Sequence, residues 1–209
     1  MDDAPRAKRG AVTGRPPIIR VEDVVNGATA LAARVGLEGL TMGQVANELG
    51  VTTTAIYHYV PSKQALIDLV VDAALDRVHV PPTDVGAWDE RLRIFEGAVR
   101  DELRRIPGSG LQLVAHSEIR PAEQRLIDIG LEIFAETGAD ERQVRLAFTT
   151  LLAYMIGQLW LDDLGASNRT SELETLQEAT GSVAFTSNDL FAYGIETVLA
   201  GLRGRLDTA

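Results

Sequence analysis

Residues 41–63, TMGQVANELGVTTTAIYHYVPSK, limit the fold more than any other stretch of the chain. Two short apolar-periodic segments flank Gly50, and Pro61 closes the second. Thr41-x-x-Gln44 has the form of a capping box, so a helix starts there with Val45, Ala46 and Leu49 facing inward. Gly50 ends that helix and allows a tight turn. A threonine at 52 or 53 caps a second helix over 54–59, with Ile56 and Val60 inward. Pro61 stops it, because the residue before a proline is pushed out of helical conformation. Leu49, Val51 and Ile56 clamp the two segments together, which is the helix-turn-helix layout. The second helix is too short to matter for stability, and its outer face is free.

Longer helices are legible on both sides. Val21, Val24, Val25, Ala28, Ala32 and Val35 recur on one helix face before Gly36 and Gly39 stop it. Ser62 caps a helix striped by Leu66, Leu69, Val70 and Ala73 and running to about His79. Pro81-Pro82 is the clearest break, and the domain boundary is placed there. Beyond it, helices are predicted over 87–105, 111–117, from Pro121 to Thr137 with Gly138 as C-cap, over 141–161, and over 188–205. Residues 146–160 are nearly apolar all round, which predicts a helix buried on most sides. Residues 162–187 are polar and read as a loop with a short helix at the capping box Ser171-x-x-Glu174. No strand pattern or internal repeat is present, so the fold class is all-α.

A chain of 209 residues can bury a sizeable core. No apolar run reaches the roughly 18 residues of a membrane helix, the N-terminus lacks the apolar stretch of a secretory signal, and no membrane partner is expected. Cysteine is absent, so disulfide and thiolate chemistry are excluded, and a cytoplasmic location fits. The net charge of −10 is uneven. Residues 1–78 hold 8 Lys/Arg against 9 Asp/Glu, whereas residues 79–209 hold 12 against 21. Arg6, Lys8, Arg9, Arg15 and Arg20 fall in an acid-free arm. Such an arm is either a solvated tail or the end that meets a polyanion.

The free face of the second short helix carries Thr53, Thr54, Tyr57 and His58, with Tyr59 at its far end. Hydroxyls and imidazole donate to phosphates and base edges, and threonine methyls suit a thymine methyl. The bland alternative is that the tyrosines are half-buried packing residues and the threonines caps. No Arg or Lys lies on this helix, so the arginine–guanine contact is unavailable from it.

Residues 37–69 resemble the DNA-binding domain of the tetracycline-repressor (TetR) family of bacterial transcription regulators. The resemblance is carried by Leu40-Thr41, Val45-Ala46, Leu49-Gly50-Val51, Ile56-Tyr57-x-Tyr59-Val60 and Ser62-Lys63-x-x-Leu66. It implies an all-α fold: an N-terminal three-helix helix-turn-helix DNA-binding domain, a connector helix, and a C-terminal helical ligand-binding and dimerisation domain. The boundaries read 1–17 for a disordered basic arm, 18–66 for the DNA-binding domain, 67–80 for the connector and 81–209 for the remainder. By the resemblance, Thr41, Met42, Thr53, Thr54, Ala55, Tyr57, His58 and Tyr59 occupy DNA-facing positions, and Lys63 matches a phosphate-contacting lysine. Met42 stands where the tetracycline repressor has a base-reading arginine.

Two segments resemble the tetracycline-repressor branch more narrowly. Leu75-Asp76-Arg77-Val78-His79 is similar to the end of its connector, where a histidine touches the drug. His116-x-x-x-Arg120-Pro121 is similar to the segment whose histidine binds the drug's magnesium. Phe95 stands where that branch has a drug-binding asparagine, and Val99 where it has phenylalanine. A pocket with Phe95, Val99 and Phe134 prefers an apolar ligand, with His79 and His116 as polar anchors. Against this, His79 reads equally as an exposed helix-end residue, and His116 as a partly buried, satisfied histidine. Asp162-Asp163 read as an exposed helix end, or as acidity near a metal. No cofactor or resident metal is expected.

The helices at 141–161 and 188–205 carry more apolar surface than one small domain hides, which predicts a homodimer joined by a four-helix bundle. The expected function is a ligand-responsive transcriptional repressor released from palindromic double-stranded DNA by a small, largely apolar effector. Two readings compete: a ligand-binding or protein-interaction dimer without sequence-specific DNA binding, and a helical enzyme. The enzyme is disfavoured because histidines at 58, 79 and 116 lack any metal-ligand spacing.

Overall fold

The computed structural model describes residues 19–113, 115, 118–166, 178–179 and 185–206. The basic arm, His116 and the Ser171-x-x-Glu174 box lie outside the described residues. All regular structure among the described residues is helical: α1 Val21–Gly39, α2 Met42–Glu48, α3 Thr53–Tyr57, α4 Lys63–Asp76, α5 Trp88–Arg104, α6 Ser109–Gln112, α7 Pro121–Ala135, α8 Glu141–Ala166 and α9 Ser187–Leu206.

Helices α1 to α3 pack through Val24, Ala28, Ala32, Leu40, Val45 and Ile56, all fully buried. The buried stripe of α1 runs through Leu31, whereas Val21 and Val35, expected on it, are exposed. The α2–α3 turn closes as the sequence predicts, and its hydrogen bonds form a Schellman motif. The Gly50 N–H donates to Asn47 O at 3.2 Å, and the Val51 N–H to Ala46 O at 2.9 Å. Gly50 sits at φ 66°, where a β-carbon is strained. Thr52 is the α3 cap, accepting from Ala55 N–H at 3.2 Å. That helix ends at Tyr57, two residues short of expectation, with His58 as its C-cap.

Ser62 caps α4, accepting from Ala65 N–H at 3.1 Å. Helix α4 ends at Asp76 rather than His79, with Arg77 as its C-cap. From α4 the chain passes Pro81-Pro82 and enters α5. The buried residues form one cluster from Val24 of α1 to Leu206 of α9.

Two predicted ends moved because of one distant pair. Helix α6 starts at Ser109, ahead of the predicted 111, because Asp163 of α8 accepts from the Gly108 N–H at 2.8 Å and the Leu111 N–H at 3.4 Å. Helix α8 continues to Ala166, past the predicted 161, and Asp162-Asp163 are not an exposed end. The Asp162 side chain is 4% exposed and meets Arg100 of α5, also 4% exposed.

By length and composition, Glu141–Leu164 is apolar enough to cross a membrane. It is not buried on most sides as predicted, since only a third of its most apolar window is covered. It packs against α5, α6, α7 and α9. Leu146, Leu152 and Trp160 of α8 and Tyr193 of α9 remain exposed.

Candidate DNA-recognition face and effector cavity

The recognition face is built by what holds α3 down. Ile56 and Val60 are fully buried, so the intervening and preceding residues are turned outward. Thr53, Thr54 and His58 are exposed, as are Tyr57 at 51% and Tyr59 at 38%; Ala55 is half-buried. Thr41 is exposed at the α2 N-terminus, accepting from Gln44 N–H at 3.3 Å and donating to Gln44 Oε1 at 2.8 Å. Met42 differs from expectation. It is 6% exposed and belongs to the core, because the first turn of α2 packs inward. Lys63 is exposed, and its ammonium donates to the Glu38 carbonyl at 2.8 Å, which ties α4 to the end of α1.

Behind this domain, α4, α5, α7 and α8 line a half-open cavity of about 190 Å³. Helix α5 contributes Phe95, Glu96 and Val99, and α8 contributes Leu152, Met155 and Leu159 among others. Leu126 and Glu123 come from α7, and Leu75 from α4. Phe95 and Val99 thus stand where the sequence reading puts them. Phe134 and His79 do not line the cavity. Phe134 is fully buried against Trp88, ring centroids 5.6 Å apart, because the α5 N-terminus closes over that end of α7. His79 is exposed beyond the end of α4. His116 lies outside the described residues, and among those described no cluster of three metal-ligating side chains occurs.

Sequence reasoning missed the α8 wall and Glu96. The signal for Glu96 was present: it falls in phase with Leu92, Val99 and Leu103 on the buried stripe of α5. Burial pushes its carboxyl up to about 8.

Polar contacts tie the cavity walls to the recognition domain. Arg120 at the head of α7 donates to the Asp68 carbonyl of α4 at 3.0 Å and lies 3.3 Å from Asp72. Arg125 donates to the Leu75 carbonyl at 2.7 Å, holding the last turn of α4. A second link bypasses α4. The Leu37 N–H donates to Pro107 O at 2.9 Å, where Gly36 at φ 72° lets the end of α1 meet the α5–α6 turn. The same turn is held to α8 by Asp163.

Residues 24–70 match the family model described as bacterial regulatory proteins, tetR family. The chain is 28% identical over 220 residues to the HTH-type transcriptional repressor DrrR1 of Streptomyces coeruleorubidus, covering 90% of this chain and 79% of that protein. It is 23% identical to the tetracycline repressor protein class E of Escherichia coli, covering 90% and 93%. Its fold is similar to that of a possible TetR family transcriptional regulator from Streptomyces coelicolor, with a TM-score of 0.77 at 21% identity over 88% of this chain and 99% of that one. It is also similar to ActR of Streptomyces coelicolor, solved with actinorhodin, at a TM-score of 0.73 and 18% identity over 91% and 99%.

Proposed function

The chain belongs to the TetR family of bacterial regulatory proteins, and from that premise we propose that it is a dimeric repressor released from a palindromic operator by a small effector. The observation that carries this reading is the pairing of an uncovered, hydroxyl-rich α3 face with an apolar cavity in mechanical contact with the same domain. Thr53, Thr54, Tyr57, His58 and Tyr59 read the operator, Thr41 contacts its backbone, and Lys63 neutralises a phosphate. Met42 acts indirectly, by seating α2. Phe95 and Val99 with the α8 wall hold the effector.

The uncovered apolar side of α8, together with α9, pairs with the same face of a second copy. Two-fold symmetry then places the recognition helices about 34–36 Å apart, one turn of DNA. An effector against Leu75, Leu126 and Leu159 bears on α4 through Arg120 and Arg125, and on α1 through the Pro107 turn. Release follows only if the effector prefers the arrangement that spoils this spacing. A regulator needs no catalytic group, so we assign it no enzymatic activity. The competing dimer without DNA specificity gains support from the acidic body alone.

The test is footprinting on the DNA upstream of the protein's own gene. Two protected half-sites one helical turn apart are expected, and uniform protection would contradict the reading. Lys63→Ala weakens specific and non-specific DNA alike and lowers the salt slope of binding by about one per protomer. Lys63 is exposed, so losing its hydrogen bond to the Glu38 carbonyl costs no more than about 1 kcal/mol of stability. A loss confined to the specific site would instead place Lys63 at a base edge.

A further inference from the structure

We propose that the effector is an apolar molecule carrying one cationic nitrogen, and that Glu96 is the group in the cavity wall that meets this charge. The inference rests on the reading of the chain as an effector-controlled regulator and names the chemistry of that effector.

The cavity wall is apolar except for two carboxyls, Glu96 and Glu123, and no basic side chain among the described residues lines it. Glu123 is already engaged. It accepts from the Arg120 guanidinium at 3.0 Å and from the Arg120 N–H at 3.1 Å. Glu96 makes no hydrogen bond or ion pair among the described residues, although it is only 7% exposed.

Its helical neighbours are committed elsewhere. Arg100, one turn on, is held by Asp162, Ser187 and Asn188, with the Phe191 ring 4.5 Å away. Arg93, one turn back, is paired with Glu196. A carboxyl placed so has no partner among the described residues and lies in the wall of the space a ligand would fill. Burying it unpaired costs stability, and a cation brought into that space recovers the cost through an ion pair of low dielectric. An anion finds no basic side chain on this wall among the described residues, and a neutral apolar molecule gains nothing from Glu96.

Arg93 and Arg100 stand about one turn either side of Glu96 on its own helix, and Glu123 of α7 shares the cavity wall with it. None of them accounts for its raised pKa, which comes from desolvation. The wall residues from α4 and α8, with Leu113 and Ile119, do not titrate. Glu96 is therefore largely protonated at neutral pH, and an arriving cation displaces its proton. The folded value lies above the ordinary 4.5, so the folded state holds more protons between about 4.5 and 8. Stability is full below that window and is lost as pH rises through it.

Calorimetry on the full-length protein with benzyltrimethylammonium and its uncharged carbon isostere, neopentylbenzene, tests the proposal. The cation is expected to bind at least tenfold tighter than the isostere and, in buffers of different ionisation enthalpy at pH 7, to release close to one proton per site. Glu96→Gln removes the proton release and the preference. Glu96→Leu strengthens binding of neopentylbenzene and flattens the fall of melting temperature between pH 5 and 8. Equal affinity of the wild type for the two probes, or cation binding without proton release, overturns the charge assignment. If neopentylbenzene then releases operator DNA, the regulator reading stands without it. If neither probe binds, the assignment and the cavity's role as an effector site both fall.

Discussion

Arg100→Leu lowers the unfolding free energy by about 3–5 kcal/mol, the usual loss when one partner of a buried ion pair is removed. The Arg100 Nε donates to Asp162 Oδ2 at 2.7 Å and its Nη2 to Oδ1 at 2.9 Å, in a two-pronged pair closed from solvent. The same guanidinium reaches Ser187 Oγ at 3.0 Å and Asn188 Oδ1 at 3.1 Å, so it joins α5, α8 and the head of α9. Removing it leaves a buried carboxylate whose remaining neighbours are Gln158, Ser187 and, at 3.8 Å, the partly exposed Arg104 guanidinium, which is too distant to replace the two-pronged pair. The double variant Arg100→Leu/Asp162→Leu restores most of the loss, since the cost lies in the orphaned charge more than in the missing attraction. Urea unfolding at fixed protomer concentration measures both, because dissociation couples to unfolding in a dimer. A single variant as stable as the parent would mean that solvent reaches Asp162.

The second large effect is on DNA. Thr54→Ala and Tyr57→Ala each weaken operator binding by about 1–2 kcal/mol, and together on the order of a hundredfold. Both side chains are exposed and cover no core, so thermal stability and dimer dissociation stay unchanged. Fluorescence anisotropy with operator and scrambled duplexes separates their roles. A base-reading residue loses affinity on the operator only, and a backbone contact loses it on both. If both variants bind as the parent does, α3 is not the reading element.

The parts of this fold that were legible are those set within a few residues of chain. Ser62 as a cap, Gly50 at positive φ and Pro121 opening α7 each act on backbone at most three residues away. What was not legible was set from a distance. Asp162 and Asp163 looked like a solvated helix end because their partners, Arg100 and the Gly108–Leu111 amides, lie more than fifty residues back. Their pairing lengthens α8 and moves the start of α6 at once. The cavity divides in the same way. Phe95 and Val99 follow from the phase of α5, but whether Phe134 faced the cavity depended on where Trp88 would pack. Glu96 was overlooked because an acid is ordinarily read as solvent-facing, although its phase on α5 said otherwise.

Operator reading by α3, as one half of a symmetric pair, requires sequence-specific binding by two protomers. The most direct measurement is the equilibrium affinity of the full-length protein for its own upstream DNA against a scrambled duplex at 0.15 M salt, with stoichiometry read in the same titration. A preference of about 10³-fold or more is expected, with two protomers bound per palindrome. Equal affinity for the two duplexes, or saturation by a single protomer, would contradict it.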